Sequence, residues 1–458
     1  MAINRRRFLE SALLSSLLLA TRRAAAAAPA EGKVIVIGAG FSGLAAARTL
    51  QDAGAEVLVL EARDRLGGRV FTSRRWADAP MDLGGSWIHG TDGNPLTAIA
   101  DAAGARRVAT DEDSDRLYRP GGKVADAAFL ARIDAMEELV TAAREAASEL
   151  DDDLSVKAAV ERHLGGKVLS ATDRQALDFW VNATIEHEYA GDWGAISAQS
   201  FDDDSGFGGE QVVFPQGYGV LAEFLAKGLD VRLGQKVSRI DSRGEGVSVR
   251  SSGGTFSADA VIVSVPLGVL KKGQIEFLPA LPERHREAID GLEMGLLNKT
   301  ILRFPKVFWP KEIDWLAYAG EKRGRWAEFF NLWRPSGLPI LMGFNAGAYG
   351  REIEALSDEE IVSGAMATLR DMFGNNIPQP SAFQLTRWAS DPFAYGSYSF
   401  LPPGSTRKTR AALATPVSEK LLLAGEATSE EYSATVHGAY LSGVRAAKEL
   451  IELAGEDE

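Results

Sequence analysis

Residues 34–47, VIVIGAGFSGLAAA, constrain the fold of this chain more than any other stretch. Their β-branched residues predict a buried parallel strand, and the Gly-x-Gly-x-x-Gly turn predicts entry into an Ala-rich helix. Gly38 allows a tight turn, Gly40 lets the backbone approach a pyrophosphate, and Gly43 lets helix and strand pack closely. The next apolar strand ends at Glu61, 18 residues after Gly43, where a carboxylate that holds a ribose hydroxyl is expected. The pattern predicts a dinucleotide site, and a glycine-rich turn in an ordinary βαβ unit is the alternative.

The first 30 residues have the pattern of a twin-arginine export signal. Residues 4–9 read NRRRFL and precede an apolar run at 12–20, which is about half the ~20 residues that a membrane span needs. Residues 28–30, APA, offer a small-residue cleavage site. The pattern predicts a bacterial protein that the twin-arginine machinery exports to the periplasm or the exterior, with no stable membrane insertion after cleavage. An uncleaved amphipathic anchor is the alternative.

The charge of the chain limits its partners. Acidic residues outnumber basic ones, 63 to 50, and the formal net charge is −13. Loss of the first 30 residues, with five arginines and one glutamate, shifts that charge to −17. Such a surface disfavours nucleic acid and attracts cationic substrates. The chain has no cysteine, which excludes disulfides and thiol catalysis, and its five scattered histidines have no metal-ligand spacing, so no metal site is predicted.

The remaining pattern predicts an α/β fold with a discontinuous nucleotide-binding domain. Residues 95–184 look helical, with one long amphipathic helix at 127–150. Short strands follow, and a buried strand ending in Gly425-Glu426 leads into a C-terminal helix. The other predicted strands are 230–233, 236–240, 247–250, 254–256, 258–266, 296–304, 326–333 and 339–344. The other predicted helices are 358–373 and 437–453.

Four motifs make the chain resemble the FAD-dependent amine oxidase family, which holds monoamine oxidases, polyamine oxidases and flavin histone demethylases. The resemblance covers residues 33–450. The motifs are EARDRLGGR at 61–69, LNK at 297–299, W-x-x-D-P-x-x-x-G-S-Y-S at 388–399 and GEAT at 425–428. Three further stretches look closest to polyamine oxidases, at residues 86–90, 225–229 and 432–438.

The resemblance implies a noncovalently bound FAD, because no cysteine is present for the covalent attachment that monoamine oxidases use. It implies a Rossmann-like FAD-binding domain of residues 31–94, 209–294 and 385–458. Residues 95–208 and 295–384 would form an α+β substrate-binding domain, with a mixed sheet flanked by helices. The residues that would hold FAD are Gly38, Gly40, Gly43, Glu61, Arg63 and Arg69 at the adenosine and pyrophosphate, Val237 at the adenine, Gly84, Gly85 and Ser86 beside the ribityl chain and flavin, and Glu426 and Thr435 near the pyrophosphate and the pyrimidine end.

Four residues are predicted catalytic by the same resemblance. The family's lysine at Lys299 contacts flavin N5 through a water, where a cation could orient that water and assist reoxidation of the flavin; taken alone, this lysine reads as a solvated charge. Trp388 would lie beside the flavin ring, with a plain core tryptophan as the alternative. Tyr398 matches one aromatic residue of the pair that flanks the amine in monoamine oxidases. Thr435 stands at the other position, which favours the polyamine or demethylase branch.

Two further residues are predicted to bind substrate. His89 falls where several polyamine oxidases have a histidine that helps to position the polyamine, and Glu186 matches an acidic position that lines their channel. The aspartates at 202–204 are candidates to flank that channel. Carboxylates along a tunnel suit a chain with several ammonium groups. The alternative for each acid is a surface charge.

The sequence thus predicts FAD-dependent oxidation of an amine C–N bond, of a polyamine or a related secondary amine. The imine would hydrolyse to an aldehyde and an amine, with O2 reduced to H2O2. An L-amino-acid or monoamine oxidase on the same fold is one alternative, although no arginine can be assigned to hold a carboxylate. A flavin electron-transfer or binding protein without oxidase activity is another. The predicted export signal and the absence of added protein-binding segments disfavour a histone-demethylase role.

Overall fold

The computed structural model describes residues 32–201 and 205–455. The predicted export signal at 1–30 and the aspartates at 202–204 lie outside the described residues. Within the described ranges, no helix combines the length and the apolar character that crossing a membrane requires.

Strands form where β-branched and aromatic residues cluster, which is the composition that suits a pleated, half-buried surface. In chain order they are β1 (Lys33–Ile37), β2 (Glu56–Leu60), β3 (Thr72–Ser73), β4 (Met81–Asp82), β5 (Trp87–Ile88), β6 (Val108–Thr110), β7 (Asp115–Arg119), β8 (Lys123–Val124), β9 (Gln211–Val213), β10 (Asp230–Arg232), β11 (Val237–Asp241), β12 (Val247–Ser251), β13 (Gly254–Ala258), β14 (Ala260–Val263), β15 (Glu276–Leu278), β16 (Glu293–Met294), β17 (Leu297–Arg303), β18 (Trp315–Tyr318), β19 (Glu328–Asn331), β20 (Ile340–Ala346), β21 (Ala382–Leu385), β22 (Ser399–Phe400) and β23 (Leu421–Leu423).

Several helices begin at a polar cap that the sequence supplies. Ser357 accepts a hydrogen bond from the Glu360 N–H, and the Glu360 side chain accepts one from the Ser357 N–H, a reciprocal capping box. The helices are α1 (Phe41–Asp52), α2 (Pro95–Ala102), α3 (Ala127–Ser148), α4 (Val156–Leu164), α5 (Ala171–Trp180), α6 (His187–Tyr189), α7 (Gly219–Leu225), α8 (Leu267–Lys271), α9 (Glu283–Gly291), α10 (Trp333–Ser336), α11 (Gly347–Glu354), α12 (Asp358–Phe373), α13 (Arg407–Ala414) and α14 (Val436–Gly455), with a π-helix at Val181–Glu186 and a 3₁₀ turn at Glu426–Thr428.

A five-stranded parallel sheet gathers distant parts of the chain. Its order is β10-β2-β1-β14-β23, and all four pairings are parallel. β1 and β2 lie within residues 31–94, β10 and β14 within 209–294, and β23 within 385–458. The sheet is therefore assembled from three separated parts of the chain. α1 packs against α14 on this sheet, where Ser42 Oγ lies 3.1 Å from Ser442 Oγ.

A seven-stranded mixed sheet is the second large sheet of the fold. Its order is β21-β17-β20-β19-β18-β7-β8, with β18 parallel to β7 and the other pairs antiparallel. The all-helical interpretation of residues 95–184 was wrong here, because β6, β7 and β8 lie inside that stretch. These strands are only two to five residues long, and β7 and β8 are stabilised by pairing at the sheet edge. Tertiary pairing decides such strands more than their own sequence does.

Candidate active site

A cavity of about 540 Å³ lies between the two large sheets. The parallel sheet supplies the loops after β1 and β2, and the mixed sheet supplies side chains of β17 to β20. Of the residues predicted from sequence to form a site, those on its wall are Gly38, Gly40, Glu61, Arg63, Arg69, Gly84, Gly85, Ser86, His89, Val237, Lys299, Trp388, Tyr398, Glu426 and Thr435. Gly43 and Glu186 are not on the wall.

The turn after β1 is held by hydrogen bonds to Glu61. One carboxylate oxygen accepts from the Ala39 N–H at 2.7 Å, and the other accepts from the Arg63 N–H at 2.8 Å. Gly43 lies behind this turn, where a Cβ atom would come within 1.9 Å of the Gly38 carbonyl oxygen. Its role is therefore close packing of α1, which begins at Phe41 and lines the cavity with its first turn. A helix start in that position favours a bound phosphate.

Two arginines of the loop after β2 join it to the C-terminal motifs. Arg63 makes a bidentate pair with Asp391, at 2.9 and 2.8 Å. Arg69 donates to Glu426 at 2.8 Å and to the Ser397 carbonyl at 3.0 Å. Bidentate and charge-assisted contacts are strong and geometrically specific. They fix three separated segments around one end of the cavity.

Glu426 is buried and ionised within this network. Burial alone would raise its pKa, but Arg69, Arg410 and the Ser399 hydroxyl together hold the pKa below its usual value. Ser399 Oγ lies 2.6 Å from Glu426 Oε2. The carboxylate therefore acts as a fixed negative anchor for the two guanidinium groups.

Lys299 lies on β17 with 4% of its surface exposed. Its ammonium donates to the Asp82 carbonyl at 3.0 Å, to the Gly84 carbonyl at 2.6 Å and to the Ser86 hydroxyl at 2.5 Å. The rings of Trp87 and Phe344 lie 5.7 and 6.0 Å from Nζ. These contacts tie the predicted catalytic lysine to the loop predicted to run beside the flavin. Its predicted water-mediated contact with the flavin stays a prediction.

The other residues predicted to be catalytic have defined partners. Trp388 Nε1 donates to the Leu83 carbonyl at 3.1 Å, which fixes the indole on the cavity wall. The Tyr398 hydroxyl donates to the His187 carbonyl at 2.7 Å, and burial raises its pKa, so the phenol stays neutral. Thr435 Oγ1 accepts from the Gly438 N–H at 2.9 Å and thus caps the start of α14. Val237, at the start of β11, is buried on the wall.

The two predicted substrate residues differ in position. His89 is exposed on the cavity wall, and its Nδ1 lies 2.8 Å from Gln211 Oε1. Glu186 lies behind the wall, 2% exposed, where it accepts from Asn182 at 2.8 Å and lies 3.5 Å from Arg323. The expectation that Glu186 lines the cavity is therefore corrected. A π-helix turns its side chain inward, and its neighbours His187 and Glu188 line the cavity instead.

Sequence reasoning missed several residues of the substrate side. Glu328 on β19 is 2% exposed and lies 2.8 Å from His187 Nδ1. Its signal was a lone acid opening the apolar strand EFFN, because a charge in a buried strand needs a partner. Trp315 stacks on Trp87 with ring centroids 5.9 Å apart, Phe344 lies tilted 6.3 Å from Trp87, and the three rings form an aromatic wall.

The sequence matches one protein family over most of its length. Residues 41–451 match the family model described as flavin containing amine oxidoreductase. The chain is 38% identical to polyamine oxidase 2 of Arabidopsis thaliana over 91% of this chain and 87% of that protein. It is also 38% identical to lysine-specific histone demethylase 1 homolog 1 of Oryza sativa, over 92% of this chain but 52% of that protein, so it spans about half of that relative. The chain belongs to the flavin-containing amine oxidoreductase family.

The cofactor of this family is FAD, and the cavity fits it. The helix start at Phe41 and the backbone-bound Glu61 suit a pyrophosphate and a ribose. At Gly84 a Cβ atom would lie 1.7 Å from the Arg69 carbonyl, so only glycine lets this loop pack against the Arg69 backbone, and Gly84 and Gly85 line the cavity there. The absence of cysteine leaves no thiol for covalent attachment. Arg63, Arg69 and Glu426 lie on the wall of the same cavity.

Proposed function

We propose that this protein oxidises the C–N bond of a polyamine or a related secondary amine. Bound FAD supplies the redox chemistry by accepting a hydride from the carbon next to nitrogen, and dioxygen then takes up two electrons and two protons to become H2O2. Water hydrolyses the imine to an aldehyde and a shorter amine. The parallel sheet with its glycine turn would serve as the Rossmann-like FAD domain, and the part built on the mixed sheet would serve as the substrate domain.

The observation that carries the proposal is one cavity that holds both a cation for the cofactor and acids for the substrate. Lys299 and Trp388 lie on its wall together with Glu112, Glu188 and Glu328. Carboxylates in a partly dry, aromatic space attract a chain of ammonium groups strongly. The aromatic wall excludes water from the reacting carbon, and Tyr398 offers a neutral ring beside it.

An L-amino-acid oxidase is less well supported, because its substrate carboxylate needs a cation. The basic side chains on the described cavity wall, apart from histidines, are Arg63, Arg69, Lys236 and Lys299. Arg63 and Arg69 are already paired with carboxylates, and Lys236 lies 5.9 Å from the Phe393 ring, next to Val237. The remaining cation, Lys299, is bound by three oxygen atoms.

A peroxide-coupled assay on the purified yellow protein tests the proposal. Spermine, spermidine, their acetyl forms, putrescine, tyramine and several L-amino acids are compared at equal concentration. Peroxide release is expected with the polyamines and little with the L-amino acids. Bound FAD without peroxide from any amine would instead support a flavin protein that passes its electrons elsewhere. Fastest release with an L-amino acid would overturn the substrate assignment.

We also propose export by the twin-arginine machinery, which rests on residues 4–9 and the apolar run after them. Such a route carries folded cargo, so FAD would be bound before export. Replacement of Arg5 and Arg6 by lysine is expected to retain the protein in the cytoplasm of a bacterial host. Unchanged periplasmic or secreted protein after that double replacement would contradict the proposal.

A further inference from the structure

Asp82 is a buried carboxylate next to the lysine on which the proposed reaction depends. It ends β4, and 7% of its surface is exposed. Its side chain accepts from the Thr72 hydroxyl at 2.5 Å and from the Tyr218 N–H at 3.0 and 3.1 Å. A charge in this position is costly unless another charge or hydrogen bonds compensate it. The proposed reaction does not yet assign it a role.

The contacts of Lys299 specify its protonated form. Two of its three acceptors are the carbonyl oxygens of Asp82 and Gly84, which can only accept a hydrogen bond. The third is the Ser86 hydroxyl. An ammonium has three donors for these three oxygens, whereas a neutral amine has two hydrogens and could meet Ser86 only by accepting from its hydroxyl. That hydroxyl instead donates to the Gly84 carbonyl at 3.2 Å, so the arrangement favours the ammonium. A buried ammonium in turn requires a nearby negative charge. The Asp82 carbonyl that accepts from Nζ at 3.0 Å places the carboxylate of the same residue near the ammonium, although the two charged groups make no direct ion pair. At that position the carboxylate opposes loss of the Lys299 proton.

We infer that Asp82 is a positioning residue that keeps Lys299 protonated beside the flavin and so sets the pH range over which the reduced cofactor reacts with dioxygen. The inference rests on the proposed function of Lys299. In that reaction the reduced cofactor gives two electrons and two protons to O2, and H2O2 and oxidised FAD result. Asp82 acts through the charge and position of Lys299 and does not touch the reacting atoms.

Burial and charge act on the pKa values of both groups. Burial lowers the pKa of Lys299 to about 8, and the charge of Asp82 opposes that shift. Burial raises the pKa of Asp82 to about 6, against the Thr72 hydroxyl, Lys299, the Tyr218 N–H and Arg74. The Tyr218 phenol itself stays neutral, because burial and Asp82 both raise its pKa. Both charges of the pair are therefore present between about pH 6 and pH 8.

Asp82→Asn in the FAD-loaded protein tests the inference. The cofactor is reduced by light, without any amine, and mixed with O2 between pH 6 and 9. The rate should fall with rising pH as Lys299 loses its proton. In Asp82→Asn the midpoint should move down by about one pH unit, as expected on loss of a nearby opposite charge. With a wild-type midpoint at about 8, that shift slows the reaction about threefold at pH 7.5.

Further variants separate positioning from a merely structural role. In a Lys299→Met background the pH dependence should vanish, and Asp82→Asn should add no shift. The visible spectrum of the bound flavin, followed against pH, should show the same midpoints. Asp314→Asn is the matched control, since Asp314 is fully buried but contacts Arg334 and the Asp111 N–H, away from Lys299. It should lower stability without moving the midpoint.

Thr72→Val gives a second measurement if Asp82→Asn folds poorly. Loss of the Thr72 hydroxyl favours neutral Asp82. The midpoint of the pH dependence is therefore expected to move down by less than in Asp82→Asn. An unchanged midpoint in these variants would overturn the inference, as would a shift that persists in the Lys299→Met background. Because no amine is used, failure of the proposed substrate in the peroxide assay is a separate outcome.

Discussion

Two buried glutamates differ in their distance from an arginine and in the direction of their pKa shift. Glu426 lies at the cofactor end of the cavity, and Glu186 lies behind its substrate wall. Glu426 lies 2.8 Å from Arg69 and 2.6 Å from the Ser399 hydroxyl, and its pKa is lowered although burial alone would raise it. Glu186 lies 3.5 Å from Arg323, and burial raises its pKa despite that arginine and Asn182.

Both carboxylates are buried, so burial alone does not explain the difference. Whether a buried carboxylate stabilises its surroundings depends more on the number and geometry of its charge-assisted donors. At the cofactor end, Arg69, Arg410 and Ser399 converge on Glu426 and fix the frame before FAD binds. Behind the substrate wall, Glu186 has a longer ion pair and sits in a π-helix. We expect the first region to be rigid and intolerant of change, and the second to be more adaptable.

The largest expected effect is at Lys299, on the wall of the cavity. Lys299→Met should lower amine turnover on the order of 10²- to 10³-fold, because a positioned charge at the reacting centre is lost. The bound FAD should remain, since Arg63, Arg69 and Glu426 are untouched. Steady-state rates and FAD content measured on the same sample check both statements. Lys236→Met, at the Val237 end of the cavity, is the control and should change the rate little. Full activity in Lys299→Met would reject its catalytic role.

The rigid cofactor end should not accept even one methyl group. Gly43→Ala places a Cβ within 1.9 Å of the Gly38 carbonyl oxygen, so the turn or α1 must shift. We expect loss of FAD and a decrease of about 1–3 kcal/mol in the free energy of unfolding. Gly244→Ala is the matched control, because a Cβ there meets no atom within 4 Å. FAD content and denaturant unfolding measure the difference. Equal behaviour of the two variants would show that the packing at Gly43 is not required.

The two glutamates should respond to acid in opposite directions. Glu426, with a lowered pKa, contributes stability that is present above its unfolded pKa of 4.5 and is lost as pH falls through its folded pKa. Glu186, with a raised pKa, lowers stability at neutral pH, and that cost disappears as pH falls towards 4.5. The stability advantage of wild type over Glu426→Gln should therefore shrink in acid. Relative to Glu186→Gln, the stability of wild type should increase as pH falls from 7 to 4.5. Thermal unfolding against pH measures both, and trends of equal sign would contradict the comparison.

The smallest effect is expected at the exposed edge of the cavity. His89→Ala removes the side chain that contacts Gln211 and should raise the KM for a polyamine about fivefold, equivalent to about 1 kcal/mol, with kcat nearly unchanged. His163→Ala, on the exposed end of α4, is the control. A change in kcat alone would assign His89 a different role.

The strand, glycine turn and helix at the cofactor end could be predicted from the sequence because their signals are local. The strand, glycine turn and helix at residues 34–47 follow one another directly, and β1 and α1 form there. The capping box at Ser357 and Glu360 likewise fixes α12 at the predicted bounds, Asp358–Phe373. Such features need only short-range geometry.

The substrate side could not be predicted in the same way, because distant strands assemble it. The pairing of β7 with β18 brings residues 115–118 beside 315–318, and no local pattern announces that contact. A π-helix rotates the side chains of residues 181–186, so Glu186 lies behind the wall although an acid was expected on it. Nothing in the local pattern of residues 81–86 indicates that Asp82 is buried. Its burial becomes visible only when β4 lies against Tyr218.

In the proposed reaction an amine bound in this cavity reduces FAD. Anaerobic mixing of the protein with an amine measures that step directly. The purified yellow protein is mixed with spermidine in the absence of O2, and the visible absorbance of the flavin is followed. Spermidine or spermine is expected to bleach the flavin in a single turnover, whereas L-amino acids are expected to leave it yellow. Unchanged absorbance with every polyamine, in protein that carries FAD, would contradict the account.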